Sequence, residues 1–164
     1  MRIDASIIYP GATADEAFRL VLDPQFRAAV CEATHALDYD VEVDEHDDGS
    51  ATVHLHRVMP AELPDFIKKL VGETIEVTQH EEWGVPDSSG RRTAGLSLEI
   101  KGQPAKMTGK LTLSDDHAGA TQLVEGDLTV SIPLLGRKIE PEIAKGIIHA
   151  VKVEQKTGRE WLSA

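Results

Sequence analysis

The C-terminal stretch 122–164 reads QLVEGDLTVSIPLLGRKIEPEIAKGIIHAVKVEQKTGREWLSA. The spacing of its apolar residues changes at Pro133. Apolar and polar side chains alternate over Gln122–Ile132, which predicts a strand that ends before Pro133. From there to the C-terminus, apolar residues recur at helical spacing. Because residues 38–132 also predict mainly strands, we expect an antiparallel meander followed by one long helix. A hydrophobic space between such a sheet and helix would suit apolar small molecules, so this order indicates a ligand class.

Composition narrows the classes of protein that the chain can belong to. At 164 residues it is predicted to form a single domain, residues 1–164, with a core that needs neither disulfides nor metals. The formal net charge of −11 would repel nucleic acid and anionic membranes, so neither is predicted as a partner. No apolar stretch is long enough to span a bilayer, and the N-terminus lacks the pattern of a signal peptide. A cytoplasmic location is therefore predicted.

The single cysteine, Cys31, lies in an apolar-periodic segment and has no partner for an internal disulfide. Arg27 is the only cation near it in sequence. We therefore predict a packed thiol in the core rather than a nucleophile.

Seven strands and two short helices are predicted before the C-terminal helix. Alternation over Ile3–Tyr9 predicts the first strand. Thr13 and Glu16 form a capping box that begins one helix, and Asp23-Pro24 begins the second. Six further strands follow as a meander, interrupted by one or two helical turns over Asp65–Leu70.

The C-terminal helix is predicted to begin between Gly136 and Glu140, because Pro141 is tolerated only in a first turn. At 100° per residue, its apolar side chains share one side of the helix. They are Leu135, Ile139, Ile143, Ile147, Ala150 and Trp161. Glu154 and Thr157 fall on the same side, where polar groups are costly in a solid core unless hydrogen-bonded. We therefore expect both to face a cavity or its mouth.

Five short motifs and the order of elements resemble a known superfamily. The motifs are DPQFR at 23–27, RVMP at 57–60, VGET at 71–74, EEW at 81–83 and SIPLLG at 131–136. The chain is similar to the START and birch-pollen-allergen-like superfamily of polyketide cyclases and lipid-transport proteins, and within it to an uncharacterised actinobacterial family of unknown function. The resemblance covers nearly the whole chain. It implies an α+β helix-grip fold, in which a seven-stranded antiparallel sheet curls around the C-terminal helix and leaves a tunnel for apolar compounds.

His54 and His56 lie two residues apart, so on a strand they share a face and would supply half of a zinc site. A third ligand would have to come from His80, Glu76 or a neighbouring strand. We interpret the pair as surface histidines, and we predict neither a metal nor another cofactor.

Arg57 continues the strand face of Val53 and Leu55, so it points inward if those two residues line the concave side of the sheet. A buried guanidinium needs an acid or a ligand carboxylate. The acids considered as partners are Glu154, Glu125 and Asp127. In the alternative interpretation, Arg57 lies at the strand end with its charge in solvent.

No catalytic residue is predicted, because the sequence has no nucleophile motif, phosphate loop or shared-proton acid pair. The first hypothesis is a module that binds a hydrophobic or amphipathic, lipid-like small molecule between sheet and helix. The predicted ligand-binding residues are Arg57, Leu96, Leu98, Leu111, Leu113, Leu128, Val130, Ile143, Ile147, Ala150, Glu154, Thr157 and Trp161. The alternatives are a polyketide cyclase or aromatase-type enzyme that uses the same pocket, with Arg57 polarising a carbonyl, and a co-chaperone-like protein-interaction module.

Overall fold

The computed structural model describes residues 1–164 and contains seven strands and four helices. The strands are β1 Arg2–Pro10, β2 Asp38–Glu45, β3 Ala51–Pro60, β4 Thr74–Trp83, β5 Arg92–Ile100, β6 Ala105–Asp116 and β7 Gly119–Val130. The helices are α1 Ala14–Val21, α2 Pro24–Ala33, α3 Asp65–Val71 and α4 Gly136–Ser163. The predicted order of elements is confirmed, including the short helix α3 between β3 and β4.

All seven strands form one antiparallel sheet in the order β1-β7-β6-β5-β4-β3-β2. From β2 to β7, each strand pairs with the next in sequence, and β1 closes the sheet by pairing with β7. β7 ends at Val130, two residues earlier than predicted. The reason is that the Ile132 carbonyl accepts hydrogen bonds from the N–H groups of Leu135 (3.2 Å) and Gly136 (2.9 Å), which form the turn into α4.

A glycine pair marks a close approach between β6 and β7. Gly109 lies opposite Gly126, and a Cβ on Gly109 would overlap the carbonyl oxygen of Glu125. A Cβ on Gly126 would come within 2.6 Å of the Met107 methyl carbon. Neither position has room for a side chain, so the pair allows the two backbones to bend together where the sheet curls.

Both predicted helix starts are formed by side-chain caps. Thr13 accepts a hydrogen bond from the Glu16 N–H at 3.1 Å, and Asp23 accepts one from the Gln25 N–H at 2.8 Å. These bonds satisfy backbone donors that a helix leaves free at its N-terminus. The caps set the directions of α1 and α2, which cover one end of the sheet.

That end of the molecule is a solid core. The rings of Phe18 on α1 and Trp83 on β4 meet edge to face with centroids 5.5 Å apart. The Arg92 guanidinium carbon lies 3.8 Å from the Phe18 centroid, so the charge stacks on a face of the ring. The inner faces of β1 and β7 extend this core to α4.

Helix α4 begins at Gly136, within the predicted range, but Pro141 lies inside it rather than in its first turn. The helix continues past the proline, which leaves the Arg137 carbonyl without its usual N–H partner. Ile139 and Ala144 near the start are buried, whereas the apolar side chains from Ile143 to Val151 that face the sheet are only half-buried. The helix packs on β1, β7 and α2 and therefore stands away from the middle of the sheet.

Only α4 is long enough to cross a bilayer, and its sequence is not apolar enough to do so.

We expect Gly109→Ala to lower the free energy of unfolding by about 1–3 kcal/mol, because its methyl group has to displace the backbone of β7. Gly95→Ala on β5 is the matched control, since a Cβ there meets nothing within 4 Å. Urea unfolding curves measure both changes. Equal midpoints for the two variants would contradict the close approach at Gly109.

Candidate ligand-binding cavity

A cavity of about 410 Å³ lies between α4 and the middle of the curled sheet, with α2 along one side. Its walls are mainly apolar. Among the lining side chains are Leu55, Leu96, Leu98, Met107, Ile143 and Ile147. The volume is within the range of about 300–1,000 Å³ that is usual for small-molecule sites.

Most of the residues predicted to bind ligand line this cavity. They are Arg57, Leu96, Leu98, Leu111, Leu128, Ile143, Ile147, Ala150 and Glu154. Strand alternation and helical spacing correctly indicated which side chains point into the space between sheet and helix. Ligand binding by these residues stays a prediction.

Four of the predicted residues lie elsewhere. Leu113 is fully buried in the solid core, and Val130 packs with Ile67, Ala105 and Ile139 in a second cluster at the start of α4. The Thr157 hydroxyl donates to the Val153 carbonyl within the helix at 2.9 Å. Trp161 packs edge to face on Phe26, with centroids 5.6 Å apart. Three of them, Val130, Thr157 and Trp161, lie toward the ends of β7 and α4, which extend beyond the cavity. A strand or helix period shows which face a residue is on, but not how far along the element the cavity reaches.

One wall of the cavity holds a buried ion pair between α2 and β4. Arg27 donates to Glu81 Oε2 at 2.6 Å, and the two side chains are only 3% and 1% exposed. Arg27 Nε also donates to the Val21 carbonyl at 2.8 Å. Burial by itself would lower the pKa of Arg27, but the carboxylates of Glu81 and Glu154 outweigh it and raise that pKa. Arg27 is thus held in its charged form.

Glu81 accepts two further hydrogen bonds. Trp83 Nε1 donates to Oε2 at 2.8 Å, and Gln79 Nε2 donates to Oε1 at 2.6 Å. Because its amide nitrogen is used in this way, Gln79 presents its oxygen to Arg57, whose NH2 group donates to it at 3.3 Å. The ion pair on α2 and β4 therefore sets the position of a second arginine on β3.

Sequence reasoning did not identify Arg27, Glu81 or Gln79 as part of a site. A signal was present in β4, because period-two alternation places Gln79 and Glu81 on the same face as the buried Trp83. Two polar residues on the core face of a strand indicate a polar wall with a partner from elsewhere. That the partner is Arg27 depends on how α2 packs, which no local pattern encodes.

Arg57 lines the cavity and is half-buried. Its Nε is buried without a hydrogen-bond partner, and no carboxylate lies within ion-pair distance of its guanidinium. Arg57 therefore points toward the cavity, as the inward interpretation expected, while its half-exposed side chain also reaches solvent, so the choice between the two interpretations stays a prediction. Of the three acids considered as its partners, Glu125 and Asp127 pair with Arg2 on the outer face of the sheet, at 3.6 and 3.7 Å, and Glu154 pairs with Arg27.

Glu154 reaches the same wall from α4. Its Oε1 accepts a hydrogen bond from the Tyr9 hydroxyl at 3.3 Å and lies 3.5 Å from Arg27 NH1. Burial is the main cause that raises the pKa of Glu154; Arg27 opposes this effect, and the negative charge of Glu81 adds to it. Its protonation is thus linked to the charge balance of the cavity wall.

The two histidines of β3, His54 and His56, contact different neighbours. The His54 ring lies against that of His80, with centroids 5.9 Å apart, and His56 Nε2 lies 3.0 Å from Glu76 Oε2. No group of three or more His, Cys, Asp or Glu side chains is arranged to hold a metal ion. Hydrogen bonding to His56 and then to Lys101 lowers the pKa of Glu76.

Cys31 is buried and lines the cavity beside Arg27. Burial is the main cause that raises the pKa of its thiol, although the nearby arginines Arg57 and Arg27 oppose it. The prediction of a packed thiol is confirmed by its burial.

A seven-stranded antiparallel sheet curled against a long C-terminal helix defines the START-like, helix-grip class of α+β proteins. Solved structures share it across almost the entire chain. The Zhui aromatase/cyclase from Streptomyces sp. R1128 matches with a TM-score of 0.64 at 12% identity, covering 99% of this chain and 93% of that one. The STAR-related lipid transfer protein from Xanthomonas axonopodis matches with a TM-score of 0.57 at 15% identity, covering 99% and 85%. At such identities the likeness is one of fold.

The chain belongs to the family described as a protein of unknown function, DUF2505, whose sequence model matches residues 4–162. An uncharacterised protein of Mycobacterium tuberculosis strain H37Rv is 28% identical over 123 residues, which are 73% of this chain and 70% of that protein. A START superfamily protein from Mycobacterium smegmatis matches in structure with a TM-score of 0.55 at 12% identity, covering 98% of this chain and 97% of that one. The sequence-based assignment to an uncharacterised family of unknown function is confirmed, and so is the START-like fold that the resemblance implied.

We expect Arg27→Met to lower the free energy of unfolding by about 3–5 kcal/mol, because it leaves Glu81 buried without its counter-charge. Arg27→Lys keeps the charge but cannot donate to Val21 and Glu81 in the same way, so its loss should be smaller. Arg2→Met, at an exposed ion-pair cluster, is the control and should cost less than about 1 kcal/mol. Urea unfolding measures all three, and equal losses for Arg27→Met and Arg2→Met would show that the buried pair contributes no more than a surface one.

Proposed function

We propose that the protein binds an amphipathic small molecule, with its apolar body in the cavity and an acidic head group at Arg57. The observation that carries this proposal is the state of Arg57, a guanidinium that lines an apolar cavity and has no acidic partner. A carboxylate of the ligand would fill that role. We also propose, as expected from the sequence, that the ligand is lipid-like and that the protein is cytoplasmic.

A ligand that has both an acidic head group and an aliphatic chain is favoured energetically. A buried donor without a partner costs about 1–3 kcal/mol, and a carboxylate that pairs with Arg57 Nε would remove that cost. Burial of an aliphatic chain contributes roughly 25 cal/mol per Å² of apolar surface, less the cost of ordering the ligand. The head group would thus set the orientation and the chain would provide most of the affinity.

The rest of the wall supports an anion at Arg57 rather than a cation at Glu81. Glu81 already accepts hydrogen bonds from Arg27, Gln79 and Trp83, so it has little capacity for a ligand cation. Arg57 donates a single hydrogen bond, to the neutral Gln79. The names of two structural neighbours, a lipid transfer protein and an aromatase/cyclase, agree with an apolar ligand. Catalysis and a protein-interaction role stay predictions from the resemblance.

The first test compares dodecanoic acid with dodecanol, which differ only in the head group. We expect Arg57→Gln to weaken binding of the acid tenfold or more, because a hydrogen bond to a charged group contributes about 1.5–3 kcal/mol. Affinity for the alcohol should change less than about threefold. Isothermal titration calorimetry measures both, with the exposed Arg19→Gln as the control. Equal losses for acid and alcohol would rule out an anion site at Arg57.

Affinity for the acid should also depend on pH through Glu154. As the pH falls through the raised pKa of Glu154, this carboxylate takes up a proton, and its negative charge no longer repels an anionic head group at Arg57. The ligand stays ionised in this range, since a free carboxylic acid titrates near about pH 4.3. Affinity for dodecanoate is thus expected to rise as the pH falls through the pKa of Glu154, which burial raises, with proton uptake on binding.

Glu154→Gln is the matched variant for this pH dependence. It should bind dodecanoate at pH 8 as tightly as the unmodified protein does at low pH, and its affinity should change little with pH. Dodecanol, which carries no charge, controls for changes in the protein itself. An unchanged slope in Glu154→Gln would assign the pH dependence to another group.

A further inference from the structure

A second polar group faces the cavity from β7 and has no partner. The Gln122 side chain is only 3% exposed, lines the cavity, and makes no hydrogen bond within the protein. Its Oε1 atom is buried and unsatisfied. Buried polar groups are normally hydrogen-bonded, so an unpaired carboxamide in an apolar wall needs an explanation.

The neighbours of Gln122 on the inner face of β7 are apolar. On the inner face of β7, the buried residues that flank it are Ala120 and Val124, and Leu128 lies further along. A leucine at position 122 would avoid the cost of an unpaired amide. Retention of an amide is accounted for if the molecule that fills the cavity supplies the missing partner.

Gln122 and Arg57 lie in rows that are far apart along the strand direction of the sheet. The strand registers align Arg57 with Val77, Ile100, Ala105 and Val130 in one row across the sheet. Gln122 lies eight residues before Val130 on β7, which is about 26 Å along an extended strand at roughly 3.3 Å per residue. The two long side chains shorten the gap between their polar ends, and a ligand that meets both must carry polar groups at both ends of an aliphatic chain.

We propose that Gln122 is a second polar subsite and that the ligand is a long-chain acid with a hydroxyl group at the end remote from its carboxylate. This inference rests on the proposed function and names its ligand class. A hydroxyl both donates and accepts, so it can pair with Oε1 and Nε2 of the carboxamide.

A second charged group would be unsuitable at this end. Arg92 is the other polar residue in the Gln122 row, and its guanidinium stacks on Phe18 and donates to the Gly49 carbonyl at 3.1 Å. It does not line the cavity, so a second carboxylate beside Gln122 would be buried without an ion pair to Arg92. A neutral hydroxyl carries no such cost.

The test compares dodecanoic acid with 12-hydroxydodecanoic acid by isothermal titration calorimetry, followed by the 14- and 16-carbon pairs. The protein should bind the hydroxy acid of its best chain length about tenfold more tightly than the plain acid, as expected for one additional buried hydrogen bond. In Gln122→Leu the preference should reverse, because the hydroxyl then enters an apolar wall. Gln122→Met, of nearly the same length, should behave alike, and circular dichroism checks that each variant is folded.

Arg57→Gln is the internal control, because it should weaken both acids equally and leave their ratio unchanged. Acid binding without a preference for the hydroxy acid in the unmodified protein, at every chain length, would overturn the Gln122 subsite but keep the proposed function. A preference that survives in both Gln122 variants would place the hydroxyl elsewhere and also overturn it. Failure of every acid to bind would overturn both proposals.

Discussion

The ion pair between Arg27 and Glu81, 2.6 Å apart and almost fully buried, is the interaction on which the site depends. It joins α2 to β4 across the curled sheet. Through Glu81 it fixes the amide of Gln79, and through Gln79 it positions Arg57. Through Arg27 it also reaches Glu154 on α4. Four elements, α2, β3, β4 and α4, are thus linked through one charged pair, and the polar wall of the cavity is built outward from it.

Such a pair is costly to bury, and its environment is arranged to offset the cost. Removal of two charges from water is repaid only when the geometry is good and the remaining donors and acceptors are satisfied. Here Glu81 receives hydrogen bonds from three side chains, and Arg27 adds one to a backbone carbonyl. An apolar pair would stabilise this wall more simply, so retention of the charges is explained better by the site they position than by stability.

The cavity exists because α4 is anchored at its two ends and unsupported in the middle. Near its start, Gly136 lets the helix approach the Val130 carbonyl, and Ile139 closes the second core cluster. Near its end, Gly158 lies where a Cβ would meet the Tyr9 ring at 2.9 Å, so the absence of a side chain allows that ring to pack against the helix. Between these anchors the helix spans the concave sheet, and its apolar residues face open space instead of a wall.

Sequence could predict the strands, the caps and the inward faces, because these follow from local periods. It could not predict which inward residues meet a cavity, since period gives direction and not distance: Leu113 and Leu111 have the same alternation, yet only Leu111 lines the space. The pairing of Arg27 with Glu81 was equally hidden, because it joins residues 54 positions apart.

An acidic ligand for a chain of net charge −11 needs a local reason, because the overall field repels anions. Two arginines and two glutamates, Arg27, Arg57, Glu81 and Glu154, lie in this part of the cavity wall, and protonation of Glu154 makes the net charge of these four side chains more positive by one. Salt screens the long-range repulsion beyond about 8–10 Å, whereas the contact with Arg57 inside the cavity is screened much less. A small anion such as acetate gains little from that contact, since it brings almost no apolar surface to bury. An amphipathic acid gains from both the contact with Arg57 and the burial of its chain. The site therefore selects for the apolar chain as well as for the negative charge.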